Sequence, residues 1–194
     1  MRVDHRFPAY AITRLVTATA VLRLVASDRL DDGVRDLLGG DAPLDDLIAD
    51  TTGICCPDAV GELVLAPLGM TGSSFSVRPS DAVTGYRLAS GGMFEPVGDE
   101  VDGLWTTAAD LVRFGIGWSS LLPEELVREV LTPQGGRGLG WPLDRAGEIA
   151  GSPGRGEAGS VSLVVRRRDR QTHVAMTTRR IPVEPINGQL LRHS

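Results

Sequence analysis

Ala11-Ile12-Thr13-Arg14-Leu15-Val16-Thr17-Ala18-Thr19-Ala20-Val21-Leu22-Arg23-Leu24-Val25-Ala26 is the strongest helix signal in this chain. Ile12, Leu15, Val16, Thr19, Leu22 and Val25 recur at helical spacing. Ala18, Ala20, Val21 and Leu24 fill the other faces. A helix that is apolar nearly all round belongs inside a protein, so this one is expected to be enclosed by the rest of the fold.

Downstream, Asp28 and Gly33 mark a turn, and Val34, Leu37 and Leu38 lie on a short segment after it. Pro43 opens a helix with Leu44, Leu47 and Ile48 facing inward. Residues 51–57 read as a loop, and residues 58–65 as a helix capped by Asp58. Residues 67–72 end that helix. Residues 73–97 are rich in Gly, Ser and Pro and hold short extended pieces. A second clear helix spans 106–118, capped by Thr106 or Thr107, with Asp110 in its first turn. A third spans 123–131, with Pro123 at its first position and two glutamates near its N-terminus, where they favour the helix dipole. Residues 138–142 are short and extended. Residues 160–165 and 172–177 are β-rich runs around a charged turn, a hairpin signal. Residues 182–191 form the closing segment. Helices in the middle and strands toward the end predict an α+β fold, a helical cluster packed on a small antiparallel sheet.

The length of 194 residues fits one domain, able to bury a core without staples. The net charge of −5 argues against a nucleic-acid partner. The basic run Arg166, Arg167, Arg168 and Arg170 sits between two apolar strands and reads as a solvated turn. No stretch is long and apolar enough to span a bilayer. The N-terminal residues carry no apolar run typical of a signal peptide, so a cytoplasmic location is expected. Heavy use of Ala, Gly, Arg, Val and Leu, with Asn187 the only asparagine, resembles the coding bias of a GC-rich, actinobacterial-type genome. All twenty Lys+Arg positions are arginine. That excludes a Schiff-base lysine, a P-loop lysine and a lysine general base, and arginine does not deprotonate in proteins.

Four segments in shared order resemble the serine β-lactamase and penicillin-binding-protein superfamily, closest to its class C and esterase-like members. Residues 7–22 are similar to the helix that carries the Ser-x-x-Lys nucleophile motif. Asp50-Thr51-Thr52-Gly53-Ile54 is similar to a His-Thr-Ser-Gly loop, and Leu65-Ala66-Pro67-Leu68-Gly69-Met70-Thr71 to a structural signature of these proteins. Residues 103–114, followed by Leu139-Gly140-Trp141 and the late hairpin, complete the resemblance. It implies one β-lactamase-like domain over residues 1–194, trimmed of the N-terminal strands that normally pair with that hairpin. An uncovered sheet edge invites pairing with another chain, so a homodimer, or a partner that completes the sheet, is expected.

The departures from the pattern bear on function. The serine position falls on Ala11 and the lysine position on Arg14. Ile54-Cys55-Cys56-Pro57 follows Gly53 directly, with no segment that carries Tyr-x-Asn. The late Lys-Thr-Gly or His-x-Gly strand motif aligns with Ser152-Pro153-Gly154, where proline cannot donate to a ladder. An acyl-serine mechanism needs a nucleophile and a base, and neither is in place.

If the cleft is retained, the resemblance places Tyr10, Thr13 and Arg14 along it, facing the loop from Asp50 to Cys56 and the segment from Ser152 to Arg155. Arg14 has two readings, a two-pronged contact to a ligand carboxylate or an ion pair with Asp50. Asp50 is a general acid or base if desolvated, or else a cap or ion-pair member. Cys55 and Cys56 are candidate nucleophiles if the helix start beside them lowers a thiol pKa, or else two small buried hydrophobes. Ser152 is either a ligand contact or an ordinary loop serine. Residues 151–159 hold four glycines but, with no lysine, no phosphate cradle. Two adjacent cysteines and three scattered histidines match no metal-ligand spacing, and no cofactor is implied. Two functions compete: a repurposed acid–base enzyme of specialised metabolism acting on a small, carboxylate-bearing molecule, and a non-catalytic small-molecule-binding, regulatory or resistance protein.

Overall fold

A computed structural model describes residues 4–40, 42–75, 78–97, 103–133, 138–144, 149–168 and 170–183. The closing segment expected at 182–191 therefore lies outside the described residues beyond Val183. Helix α1 (Ile12–Ala26) runs through the core. Eleven of its fifteen residues are buried, on every face. Its threonines remain affordable inside because they bond within the helix: Thr19 Oγ1 donates to Leu15 O at 2.8 Å and Thr17 Oγ1 to Thr13 O at 3.3 Å.

Short helices enclose α1. A 3-10 turn (Asp32–Val34) leads into α2 (Arg35–Gly39), followed by α3 (Asp45–Thr52) and α4 (Cys56–Val60), which continues into a π-helical turn (Gly61–Leu65). Leu44, Ile48, Ala59, Val60 and Val64 pack into the same core as α1. Two boundaries differ from the sequence expectation. The loop shrinks to residues 53–55, because α3 runs on to Thr52 and stops only at Gly53, whose left-handed φ of 78° terminates it. Asp58 is not the cap of α4: Cys55 is, and Asp58 sits in the first turn, where its charge favours the dipole.

Three small sheets follow. Strand β5 (Leu104–Thr106) is flanked by β1 (Phe7–Pro8) and β2 (Ser74–Phe75). β3 (Gly85–Leu88) and β4 (Phe94–Val97) form a hairpin. β6 (Ile149–Gly156), β7 (Gly159–Arg166) and β8 (Gln171–Thr177) form an antiparallel sheet in that order. The expected hairpin is β7–β8; the arginine run lies at its turn, with Arg167, Arg168 and Arg170 exposed. α1 lies against β6 and β7, and α5 (Ala108–Gly117) against β7 and β8. A side chain at Gly115 would put its Cβ 2.4 Å from Thr172 Cγ2, so glycine there sets the close approach of α5 to β8. Among the described strands β8 lies at one edge of this sheet. The architecture is α+β.

Thr107, not Thr106, caps α5: its Oγ1 accepts from Asp110 N at 3.1 Å, while Thr106 ends β5. Pro123 precedes α6 (Glu124–Val130) as its cap rather than its first residue. Trp105, Trp118 and Trp141 are buried. Asp110 is the buried charge that sequence reading passed over as a first-turn residue. Its carboxylate accepts from Ser73 Oγ at 2.8 Å and from Arg113 Nη1 at 2.6 Å, and Ser73 also bonds Thr106 Oγ1 at 2.8 Å. The cluster ties the turn after Met70, strand β5 and helix α5 at one point. Removing one partner of such a buried network is costly. Asp110→Ala should lower stability by about 3 kcal/mol, which in a domain this size moves Tm by roughly 6–12 °C. A calorimetric loss under 1 kcal/mol would show that the cluster does not hold these elements together.

Candidate cleft at the start of the central helix

The turn into α1 is unusual. Tyr10 adopts φ 49° without being glycine, a conformation that persists only where surroundings enforce it. β6 supplies the enforcement. A Cβ on Gly156 would lie 2.1 Å from Tyr10 Cε1, and one on Gly154 would lie 2.8 Å from Ala9 O. Those two glycines let the strand press onto the turn. Ser152 is therefore not a loop serine: it lies on β6, opposite Leu163, with Pro153 opposite Ser162. β6 is an edge strand, where a missing proline N–H is tolerated.

This packing leaves a cavity of about 160 Å³ lined by Ala11, Arg14, Leu15, Leu38, Trp141 and Ser152, with Gly138, Gly140 and Pro142 completing its rim. Ala11 offers an exposed methyl and Ser152 a largely buried hydroxyl. Trp141 is fully buried between Phe114 and Trp118, with ring centroids 5.7 and 4.7 Å away. Its indole N–H has no partner among the described residues.

Arg14 has neither of its expected partners. Its Nη1 donates to Ala42 O at 2.7 Å and its Nη2 to Leu37 O at 3.0 Å and to Gly40 O. The guanidinium thus binds the carbonyls at the end of α2 and in the turn after it. Helix C-termini present unsatisfied carbonyls and a partial negative charge, and a planar cation with several donors satisfies both. The ion pair with Asp50 is corrected accordingly. The terminal nitrogens are already occupied, so a two-pronged grip on a ligand carboxylate is not what this geometry provides.

The remaining expected residues divide. Tyr10 packs beside the cleft against Gly156. Thr13 faces the other way: its Oγ1 accepts from Leu104 N at 3.3 Å, anchoring β5 to α1. Arg155 is exposed and does not line the cavity. Asp50 is exposed on the last turn of α3, and it, Cys55 and Cys56 do not line the cavity either. The physical reason is that α3 keeps helical geometry to Thr52, which leaves too short a loop to reach the start of α1. Cys55 is exposed and its thiol donates to Asp58 Oδ2 at 3.1 Å. Cys56 is buried; burial first, and the nearby Asp45 carboxylate second, push its thiol up to about 12. Desolvation outweighs the short α4 N-terminus, opposite to what a nucleophile needs. Among the described residues no cluster of three or more His, Cys, Asp and Glu could hold a metal ion, and no helix is long and apolar enough to cross a membrane.

No protein-family model matches the chain, and no curated protein sequence matches it. Its structure does match solved ones. A penicillin-binding protein from Bacillus halodurans superposes with TM-score 0.81 at 14% identity, over 98% of this chain and 87% of that one. The chain has the penicillin-binding-protein and β-lactamase fold. A β-lactamase/D-alanine carboxypeptidase from Pseudomonas syringae shares this fold with TM-score 0.79 at 15% identity, over 100% of this chain and 86% of that one. A D-amino acid amidase from Ochrobactrum anthropi, complexed with L-phenylalanine amide, does so with TM-score 0.69 at 17% identity, over 92% and 78%. Within this fold the cleft at Ala11, Arg14 and Ser152 gathers the positions that the sequence motifs matched.

The two cysteines give a direct check on the site. At pH 8 the folded protein should release one equivalent of thionitrobenzoate from Ellman's reagent, from Cys55, and the second only in denaturant. Two rapidly reacting thiols in the folded state would place Cys56 in an open, activating environment and contradict its assignment to the core.

Proposed function

We propose that this protein binds a small molecule in the cleft between Ala11 and Ser152 without forming a covalent serine intermediate. The observation that carries this reading is the pairing of Ala11, which has no nucleophile, with Arg14, whose terminal nitrogens are held by main-chain carbonyls. An arginine does not act as a base, and an acyl-serine route needs both groups. The cleft keeps an apolar wall and the Ser152 hydroxyl, which donates weakly to Pro153 O at 3.4 Å and can accept from a neutral donor such as an amide N–H. Its volume is below the ~300–1,000 Å³ of sites for drug-sized ligands, which favours a ligand of single-amino-acid size. Solved structures of this fold hold ligands of amino-acid size: L-phenylalanine amide and D-phenylalanine in the Ochrobactrum amidase, and D-Leu in SurE. Because the terminal nitrogens of Arg14 are held by main-chain carbonyls, this reading favours the amide form, a compact amino-acid amide, over the free carboxylates among them.

D-phenylalanine amide is the probe. At a hundredfold excess over its Kd it should stabilise the protein by about 2.7 kcal/mol, and Leu15→Trp, which fills the cleft, should abolish the shift. Neither the native protein nor Ala11→Ser should hydrolyse nitrocefin or retain a fluorescent penicillin, because the serine variant still lacks a base. A covalent penicilloyl adduct on the native protein would overturn this reading. Turnover of the bound amide by the native protein would instead favour the repurposed acid–base enzyme.

A further inference from the structure

A second cavity, of about 550 Å³, opens on the far side of the Trp118–Trp141 pair. It lies between the end of α5, helix α6 and the β6–β7 strands, and the β7–β8 turn supplies its rim. Its volume is within the range of ligand sites. Ile116, Trp118, Val127, Leu131 and Val165 give it an apolar interior. Two arginines, Arg167 and Arg170, also line it, and among the described residues none that lines it is acidic. In a chain of net charge −5 this is a local reversal of sign.

The arginines are fixed there by the hairpin. Arg167 reaches across to α6 and donates from Nη1 to Leu131 O at 3.2 Å, joining the turn to the wall of the cavity. Arg170 holds a left-handed φ of 56° just before β8, and among the described residues its guanidinium has no ion-pair or hydrogen-bond partner. Two of the three carboxylates on α6 are engaged elsewhere: Glu129 with Arg35 at 2.7 Å and Glu124 with Arg128 at 3.1 Å; the third, Glu125, does not line the cavity. Ile116 stands 63% exposed beside the opening, an apolar side chain left in water next to an apolar cavity.

We propose that this cavity is a binding site for an apolar molecule ending in a carboxylate, such as a medium-chain fatty acid, with the chain against Trp118, Val127 and Val165 and the carboxylate at Arg170 and Arg167. Charge complementarity selects the head group, since a guanidinium pairs with carboxylate through charge-assisted bonds. The apolar interior selects the tail, because burying hydrocarbon there removes it from water. The site is separate from the cleft at Ala11 and does not depend on what that cleft binds.

Decanoate and decan-1-ol are the probes, titrated calorimetrically into the whole protein at pH 8. Decanoate should bind with a stoichiometry of one, and decan-1-ol at least tenfold more weakly. Arg170→Gln, on the exposed turn, should weaken decanoate at least tenfold, equal to about 1.4 kcal/mol. Arg180→Gln, whose native side chain pairs with Glu157 elsewhere, should change nothing. Val127→Trp should abolish binding by filling the cavity. Absence of decanoate binding to the native protein would overturn the proposal, as would equal affinity for the alcohol or undiminished binding by Arg170→Gln.

Discussion

The structure depends on enclosing α1 on every side while leaving none of its polar groups unmet. Buried polar groups without partners cost more than burial returns, so each hydrophilic residue on the helix has to find a partner. Thr17 and Thr19 bond back to their own helix, and Thr13 accepts from Leu104 N of β5. The two arginines reach outward to main chain: Arg14 to the carbonyls of Leu37, Gly40 and Ala42, and Arg23 to Leu63 O in the π-helical turn. Each cation thereby fastens a short enclosing helix to the central one at a place where helical geometry leaves carbonyls unsatisfied. A five-residue helix such as α2 is too short to be stable alone, and these contacts help to fix where it lies.

That solution also explains why the cleft retains its shape while lacking the groups for acyl transfer. The glycines of β6 hold the strand against the Tyr10 turn, and α2 closes the opposite wall. Arg14 stands where a lysine base would be expected, but a planar cation with several donors can bridge three carbonyls in a way a point charge cannot. With Ala11 beside it, the start of the helix becomes a wall of a binding cavity rather than a source of nucleophile and base.

Much of this was legible in the sequence because it is local. The all-round apolar pattern of residues 11–26 located α1, the threonines at 106 and 107 before an apolar-periodic run placed the start of α5 to within two residues, and the β-rich runs around the arginine cluster located β7 and β8. The order of motifs pointed to the fold that the solved structures share. What was hidden depends on partners far apart in the chain. Nothing near Arg14 announces carbonyls 23 to 28 residues away. Asp110 looked like an ordinary first-turn acid because its hydrogen-bond partner Ser73 lies 37 residues earlier. The loop from Asp50 to Cys56 was drawn toward the cleft by its motif resemblance, yet the helical continuation to Thr52 keeps it outside. β6 was masked by its glycines, which weaken strand propensity but are required by the contact with Tyr10.

The role of Arg14 is tested most directly by the unfolding of Arg14→Ala, followed together with amide hydrogen exchange. Loss of charge-assisted bonds to three carbonyls, partly offset by solvent at this half-exposed site, should lower stability by about 2 kcal/mol. Protection should fall first in residues 35–40, while α5 and β7 keep theirs. An Arg14→Ala protein with unchanged Tm and unchanged exchange across α2 would contradict the account, since the guanidinium would then be holding nothing in place.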